Sequence, residues 1–191
     1  MKVIAEGLDF PEGPIALADG SVLLVEIRAR RLTRVRPDGR RTVVAELGGG
    51  PNGAAIGPDG ACYVCNNGGF DWHEMLDGTV RPGLQAKDYS GGRIERVDLA
   101  TGAVTVLYTA SDRGPLKGPN DIVFDADGGF WFSDLGKRRP RDMDHGGLYY
   151  ARIDGSSCRE VVFPMTTPNG VGLSPDGTRL YFNSQRGGRQ G

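Results

Sequence analysis

One short pattern occurs four times in this chain, and it limits the available folds more than any other feature. The segments are "FPEGPIALADGSVLLVEI", "GPNGAAIGPDGACYVCNN", "GPNDIVFDADGGFWFSD" and "TPNGVGLSPDGTRLYFNS". Each passes from a proline-containing turn through a polar residue and a Gly or Asp into a short apolar strand. A D-G turn and a second strand follow. The polar residues are Glu12, Asn52, Asn120 and Asn169, and the turn glycines Gly20, Gly60, Gly128 and Gly177 fall about 40–70 residues apart. A D-G pair supplies the positive φ that a tight hairpin demands. Further strands follow inside the units, as in "RLTRVRP" with "RTVVAEL", "GRIERVDLATGAVTVLYTA" and "GGLYYARIDGSSCREVVF". No segment of any length carries a helical period.

Units of about four strands at this spacing point to an all-β chain and, within that class, to a β-propeller. One blade cannot bury both of its faces, so blades stack around a central channel. A β-sandwich also uses D-G hairpins, but gives no reason for the same P-[EN]-[GD] pattern to recur at the same place in each unit. A single partial propeller domain is predicted over 1–191, with approximate units 1–48, 49–112, 113–164 and 165–191. The first three are complete, and the fourth holds about two strands before the polar tail "QRGGRQG". About three and a half blades leave open edges that can pair with another chain, so self-association is one expectation and a fragment is the other.

With Gly 31 and Pro 12 in 191 residues, turn formers approach a quarter of the chain, but the recurring apolar strands argue against disorder. A net charge of −1 gives no footprint for nucleic acid or a membrane surface. No apolar stretch is long enough for a membrane span. The opening "MKVIAEGLDF" lacks the apolar core of a secretory signal, so the cytoplasm is the expected compartment. The basic run "KRRPRD" at 137–142 reads as a solvated loop. Cys62 and Cys65 form a C-x-x-C on a strand, where residues three apart face opposite sides. With only Cys158 remaining, free thiols are expected rather than a zinc site or a disulfide. His73 and His145 are expected in surface loops, Trp72 as loop cover and Trp131 in a blade core.

The innermost strand of each blade of a propeller lines the channel. If the four units are equivalent, Glu12, Asn52, Asn120 and Asn169 converge on its axis. One carboxylate with several amide oxygens is a hard, oxygen-only donor set. It suits Ca²⁺ first, then Mg²⁺ or Mn²⁺, and Zn²⁺ less. Asn-Gly and Asn-Asp are also ordinary turn dipeptides, so a structural role is the alternative for each asparagine. Asn52 is expected to line the channel and contact substrate rather than metal. Asn67, after "CYVC", and Asp134, in "FWFSDLG", are further candidate substrate contacts, with strand-end turn polars as the alternative.

These motifs resemble those of the gluconolactonase, senescence marker protein (regucalcin) and luciferin-regenerating enzyme family, whose members are six-bladed propellers. The resemblance covers almost the whole chain but only the N-terminal portion of the family fold. It implies that Glu12 in "PEGP" is a metal-binding carboxylate and Asn169 in "PNGVGLSPDG" a metal-binding amide. It implies that Asn120 in "GPNDIVFDADGG" is a metal ligand or a substrate contact. The implied activity is hydrolysis of a sugar lactone or related ester through a divalent cation, Ca²⁺ above the others. The family's proposed catalytic base is an aspartate in a later blade, expected beyond Gly191, so no catalytic residue is assigned here. Some members carry an arginine two residues before the third-blade asparagine, where this chain has Gly118. A catalytically silent propeller that binds a metal or small molecule is the alternative of another class. Organophosphate hydrolysis of the diisopropylfluorophosphatase type uses the same metal logic.

Overall fold

The computed structural model describes residues 3–184, and these form eighteen strands with no helix among them. It therefore holds no helix long and apolar enough to cross a membrane. The first sheet is a meander of β1 (Pro11–Ala16), β2 (Val22–Glu26), β3 (Arg31–Val35) and β4 (Arg41–Glu46). β5 (Pro51–Ile56) and β6 (Cys62–Asn66) begin the second sheet. A separate hairpin, β7 (Phe70–Glu74) with β8 (Val80–Gln85), intervenes before β9 (Arg93–Val97) and β10 (Val104–Tyr108) complete it. The two-residue strands β11 (Ala110–Ser111) and β12 (Gly114–Pro115) lead to the third sheet. That sheet is β13 (Pro119–Phe124), β14 (Gly129–Asp134), β15 (Gly146–Arg152) and β16 (Cys158–Met165). The pair β17 (Pro168–Leu173) and β18 (Leu180–Ser184) follows.

The D-G chemistry explains the hairpins that open these sheets. Gly20, Gly60 and Gly177 stand at φ of +80°, +77° and +69°. The aspartates before them accept from the backbone two residues on, Asp19 from Ser21 N at 3.1 Å and Asp176 from Thr178 N at 3.1 Å. The first strands of the sheets, β1, β5, β13 and β17, lie beside one another in that order. This is the side-by-side stacking of propeller blades.

Two apolar cores lie between consecutive sheets. Leu23, Val25, Leu32, Val64 and Val97 fill the space between the first two sheets. Tyr63, Ile94, Phe130, Phe132 and Tyr149 fill the space between the second and third. β6 is buried along its whole length because it has a core on each face. Cys62 therefore belongs to one core and Cys65 to the other, and all three cysteines are free and buried. Burial pushes the Cys62 thiol up to about 12.

The structure differs from the sequence expectation at three places. Trp131 does not enter the core. In "FWF" strand alternation gives the core to Phe130 and Phe132, and Trp131 packs on Tyr150 at the opposite face, with centroids 4.9 Å apart. Trp72 and His73 belong to strand β7, not to loops, and Trp72 packs on Phe10 at 5.0 Å. The run "KRRPRD" is not uniformly solvated, because Lys137 is only 1% exposed. Its Nζ donates to Asn67 Oδ1 at 3.0 Å and Gly69 O at 2.9 Å, and sits 3.9 Å from the centroid of the Phe70 ring. These contacts fasten the base of the β7–β8 hairpin to the loop after β14. Burial lowers the ammonium to about 7, although the Asp134 and Asp144 charges oppose the shift.

The first strands approach so closely that side chains are excluded at their contacts. A Cβ on Gly53 would stand 2.4 Å from Asn120 O and 2.6 Å from Asp121 Cα. A Cβ on Gly172 would meet nothing within 4 Å. Gly53→Ala should lower stability by about 1–3 kcal/mol, whereas Gly172→Ala should be neutral or slightly stabilising. Urea midpoints for both variants check this, and equal midpoints would refute the close-approach account. Lys137 generates a pH prediction. Its amine is depressed in the fold and has its ordinary value of about 10.4 when unfolded. From about pH 7 to 10 the unfolded chain therefore binds the extra proton, and stability rises with pH. Lys137→Met should remove that increment and flatten the profile. Denaturation at pH 7, 8 and 9 measures it, and parallel profiles would contradict the assignment.

Candidate functional site

Each of the four first strands carries an irregularity at the same place. The register shifts between Glu12 and Ile15 in β1, Pro51 and Ala54 in β5, Pro119 and Ile122 in β13, and Pro168 and Val171 in β17. A bulge re-aims the side chains beside it. In this chain it follows or contains the polar residue of each repeat. The result is one cavity of about 340 Å³ lined by Glu12, Asn52, Asn120 and Asn169 together. The four equivalent positions of the sequence repeat thus meet in space.

The strand entries are fixed from behind. The proline of each repeat pairs with a polar residue at the end of the neighbouring strand, Pro11 with Glu26, Pro51 with Asn66 and Pro119 with Asp134. Those polar side chains accept from the loop that leads into the first strand. Glu26 accepts from Asp9 N at 2.7 Å, Asn66 from Gly50 N at 2.8 Å, and Asp134 from Lys117 N at 2.8 Å and Gly118 N at 2.7 Å. Burial raises the Asp134 carboxyl above its ordinary value, against these donors and the Lys137 charge. For Glu26 burial acts in the same direction, but Arg31, Thr33 and the Asp9 amide outweigh it and hold the carboxyl at about 2.

Within the cavity Asn52 and Asn120 are buried, Asn169 is half-buried and Glu12 is exposed. Partial desolvation raises the Glu12 carboxyl, a backbone hydrogen bond from Gly13 opposes it, and the Asp121 charge adds to it. A cation would relieve that crowding of negative charge, and the neighbouring groups supply amide oxygens. The donor set therefore fits a hard divalent ion. Among the described residues no group of three or more His, Cys, Asp and Glu side chains is gathered for a metal, so amides make up the balance of this set. Phe10, Ile27, Phe70, Pro82 and Leu135 supply apolar walls.

Two expected substrate contacts are not brought to this cavity. Asp134 is 2% exposed, with its carboxylate on backbone amides including Gly136 N at 2.8 Å. Asn67 is fully buried; its Oδ1 accepts from Gly69 N at 2.9 Å as well as from Lys137, and its Nδ2 has no partner among the described residues. Four participants lie outside the sequence expectation. Asp121 stands where the other repeats have Gly13, Gly53 and Gly170, and its Oδ2 accepts from Val171 N of β17 at 2.9 Å. That single departure from the repeat was the signal for it. Arg138 and the β7–β8 residues Phe70 and Pro82 line the cavity but come from segments that occur once, so no repeat marks them.

Comparison with known proteins agrees with this architecture. The chain is similar to a gluconolactonase of Zymomonas mobilis, 24% identical over 97% of this chain and 52% of that protein. It is similar to the lactonase drp35 of Staphylococcus haemolyticus, 28% identical over 95% of this chain and 49% of that protein. The chain spans about half the length of the curated relatives it matches. Among solved structures, the gluconolactonase XC5397 of Xanthomonas campestris superposes with a TM-score of 0.69 at 26% identity, over 93% of this chain and 55% of that one. Regucalcin of Agrobacterium tumefaciens shares the fold with a TM-score of 0.63 at 22% identity, over 93% of this chain and 51% of that one. The family model of the SMP-30/Gluconolactonase/LRE-like region matches residues 10–188, and the chain belongs to that family.

Proposed function

We propose that this chain forms the cation-binding half of a lactonase-type hydrolase that opens a sugar lactone or a related ester. The observation that carries the reading is the convergence of Glu12, Asn52, Asn120 and Asn169, one from each repeat, in a single cavity. The lactonase and gluconolactonase names of the relatives support the reaction class. In this reading the described strands are about three and a half blades of a six-bladed ring. β18 exposes Tyr181 and Phe182 on the open side, where further strands or another chain can pair.

Glu12 supplies the negative charge that holds the ion, with Asn120 and Asn169 adding amide oxygens. A bound divalent cation, Ca²⁺ above Mg²⁺, Mn²⁺ or Zn²⁺, would polarise the ester carbonyl and stabilise the charge that develops on its oxygen. In this reading Asn52, buried beside these groups, hydrogen-bonds a substrate hydroxyl. The apolar walls shape the ring-sized space and limit water around the scissile bond. Asn67 and Asp134 act behind the cavity, holding Lys137 and the entry to β13. The base that activates water is not assigned to a residue of this chain.

Calorimetric titration with Ca²⁺ and a lactone hydrolysis assay test the proposal. The chain should bind the ion, and Glu12→Gln should abolish both binding and ion-dependent hydrolysis while the circular dichroism of the sheets is kept. Unchanged activity in Glu12→Gln would overturn the assignment. Binding without turnover in the unsubstituted chain would favour the catalytically silent binding module instead.

A further inference from the structure

Glu12 and Arg138 line the same cavity and carry opposite charges. Each makes no ion pair among the described residues. The reason Arg138 stays alone lies in its neighbours. The two nearby loop carboxylates are both taken by Arg139, which meets Asp142 and, through two nitrogens, Asp144 at 2.9 and 3.0 Å. Arg138 is exposed, and its backbone is held firmly. Its carbonyl accepts from Gln85 N of β8 at 2.8 Å, and a β-bridge joins it to Met143. The preceding Lys137 fastens the same loop to Gly69 O at 2.9 Å. Arg138 thus lines the cavity from a pinned loop and forms no ion pair among the described residues.

Guanidinium groups bind carboxylate and phosphate oxygens through paired, charge-assisted hydrogen bonds. We propose that Arg138 is a specificity-determining residue that receives an anionic group carried by the substrate. The preferred substrate is then a lactone or ester bearing a carboxylate or phosphate away from the scissile bond. Glu12 faces the cation and Arg138 faces the anion, so the two ends of the ligand are told apart by charge. The apolar wall of Phe70, Pro82 and Leu135 contacts its uncharged middle. This inference rests on the lactonase reading above for the identity of the reaction, but not for the binding of the anion.

The test compares the 191-residue chain with Arg138→Met, which keeps the aliphatic stem, and with Arg138→Lys, which keeps the charge. The readout is the ratio of kcat/KM for D-glucono-1,5-lactone 6-phosphate over that for unphosphorylated D-glucono-1,5-lactone. Arg138→Met should lower this ratio by about tenfold or more, the size expected for loss of a charge-assisted hydrogen bond. Arg138→Lys should keep part of it. An unchanged ratio in Arg138→Met would overturn the proposal. If neither lactone is hydrolysed by the unsubstituted chain, the reaction assignment fails and calorimetric titration with 6-phosphogluconate decides the role of Arg138 alone. Binding that weakens about tenfold in Arg138→Met supports the proposal. Equal affinity, or no binding to the unsubstituted chain, overturns it.

Discussion

The fold and its cavity depend on one arrangement, repeated with different chemistry in three sheets. A polar side chain at the end of the second strand accepts hydrogen bonds from the loop that enters the first. Glu26 does this for Asp9, Asn66 for Gly50, and Asp134 for Lys117 and Gly118. A buried amide left without a partner costs more than a single hydrogen bond contributes. The entry loops therefore have one satisfactory position, and the residue just past each loop is delivered to the cavity with it. Carboxylate and carboxamide serve equally because the loop asks only for an oxygen acceptor.

Contacts between the sheets then set how far apart the four delivered residues stand. Gly53 lies against the backbone of Asn120, which no side chain would permit. Asp121 takes the glycine position in the third sheet and reaches to Val171 N, while Ser133 Oγ donates to the carbonyl of Asn169. The first contact joins neighbouring strands by exclusion and the second pair joins them by polar bonds. Cavity geometry is consequently a property of packing between sheets, and no one repeat contains it.

Much of this was legible in the sequence, and the part that was not has a physical reason. A motif repeated four times identifies equivalent positions without any knowledge of contacts, so Glu12, Asn52, Asn120 and Asn169 could be grouped from sequence and are found in one cavity. Parity along a strand is harder to read when every residue is apolar. "FWF" fits either face, and the structure turns Trp131 away from the core. Asp134 and Asn67 were visible as polar residues at strand ends, but whether such a group faces a ligand or a backbone amide is decided by residues distant in sequence. Lys137 is the clearest case. Nothing local distinguishes it from Arg138 beside it, and its burial depends on Asn67, Gly69 and Phe70 at the base of a hairpin that occurs once.

That hairpin has a consequence for how such a protein changes over generations. The polar floor of the cavity is tied to the repeat, where substitutions disturb neighbouring sheets as well as the pocket. β7–β8 belongs to none of the four-stranded sheets; it meets the rest of the molecule through its base, the loop around Arg138, the packing of Trp72 on Phe10 and the ion pair of Glu74 with Arg28. Residues at its tip, such as Leu76, are free to vary at little cost to the fold. Selection acting on ligand preference can therefore work on an appended wall while the repeat-built floor keeps its packing, and proteins with the same framework can part company in what they accept by exchanging a single excursion of the chain.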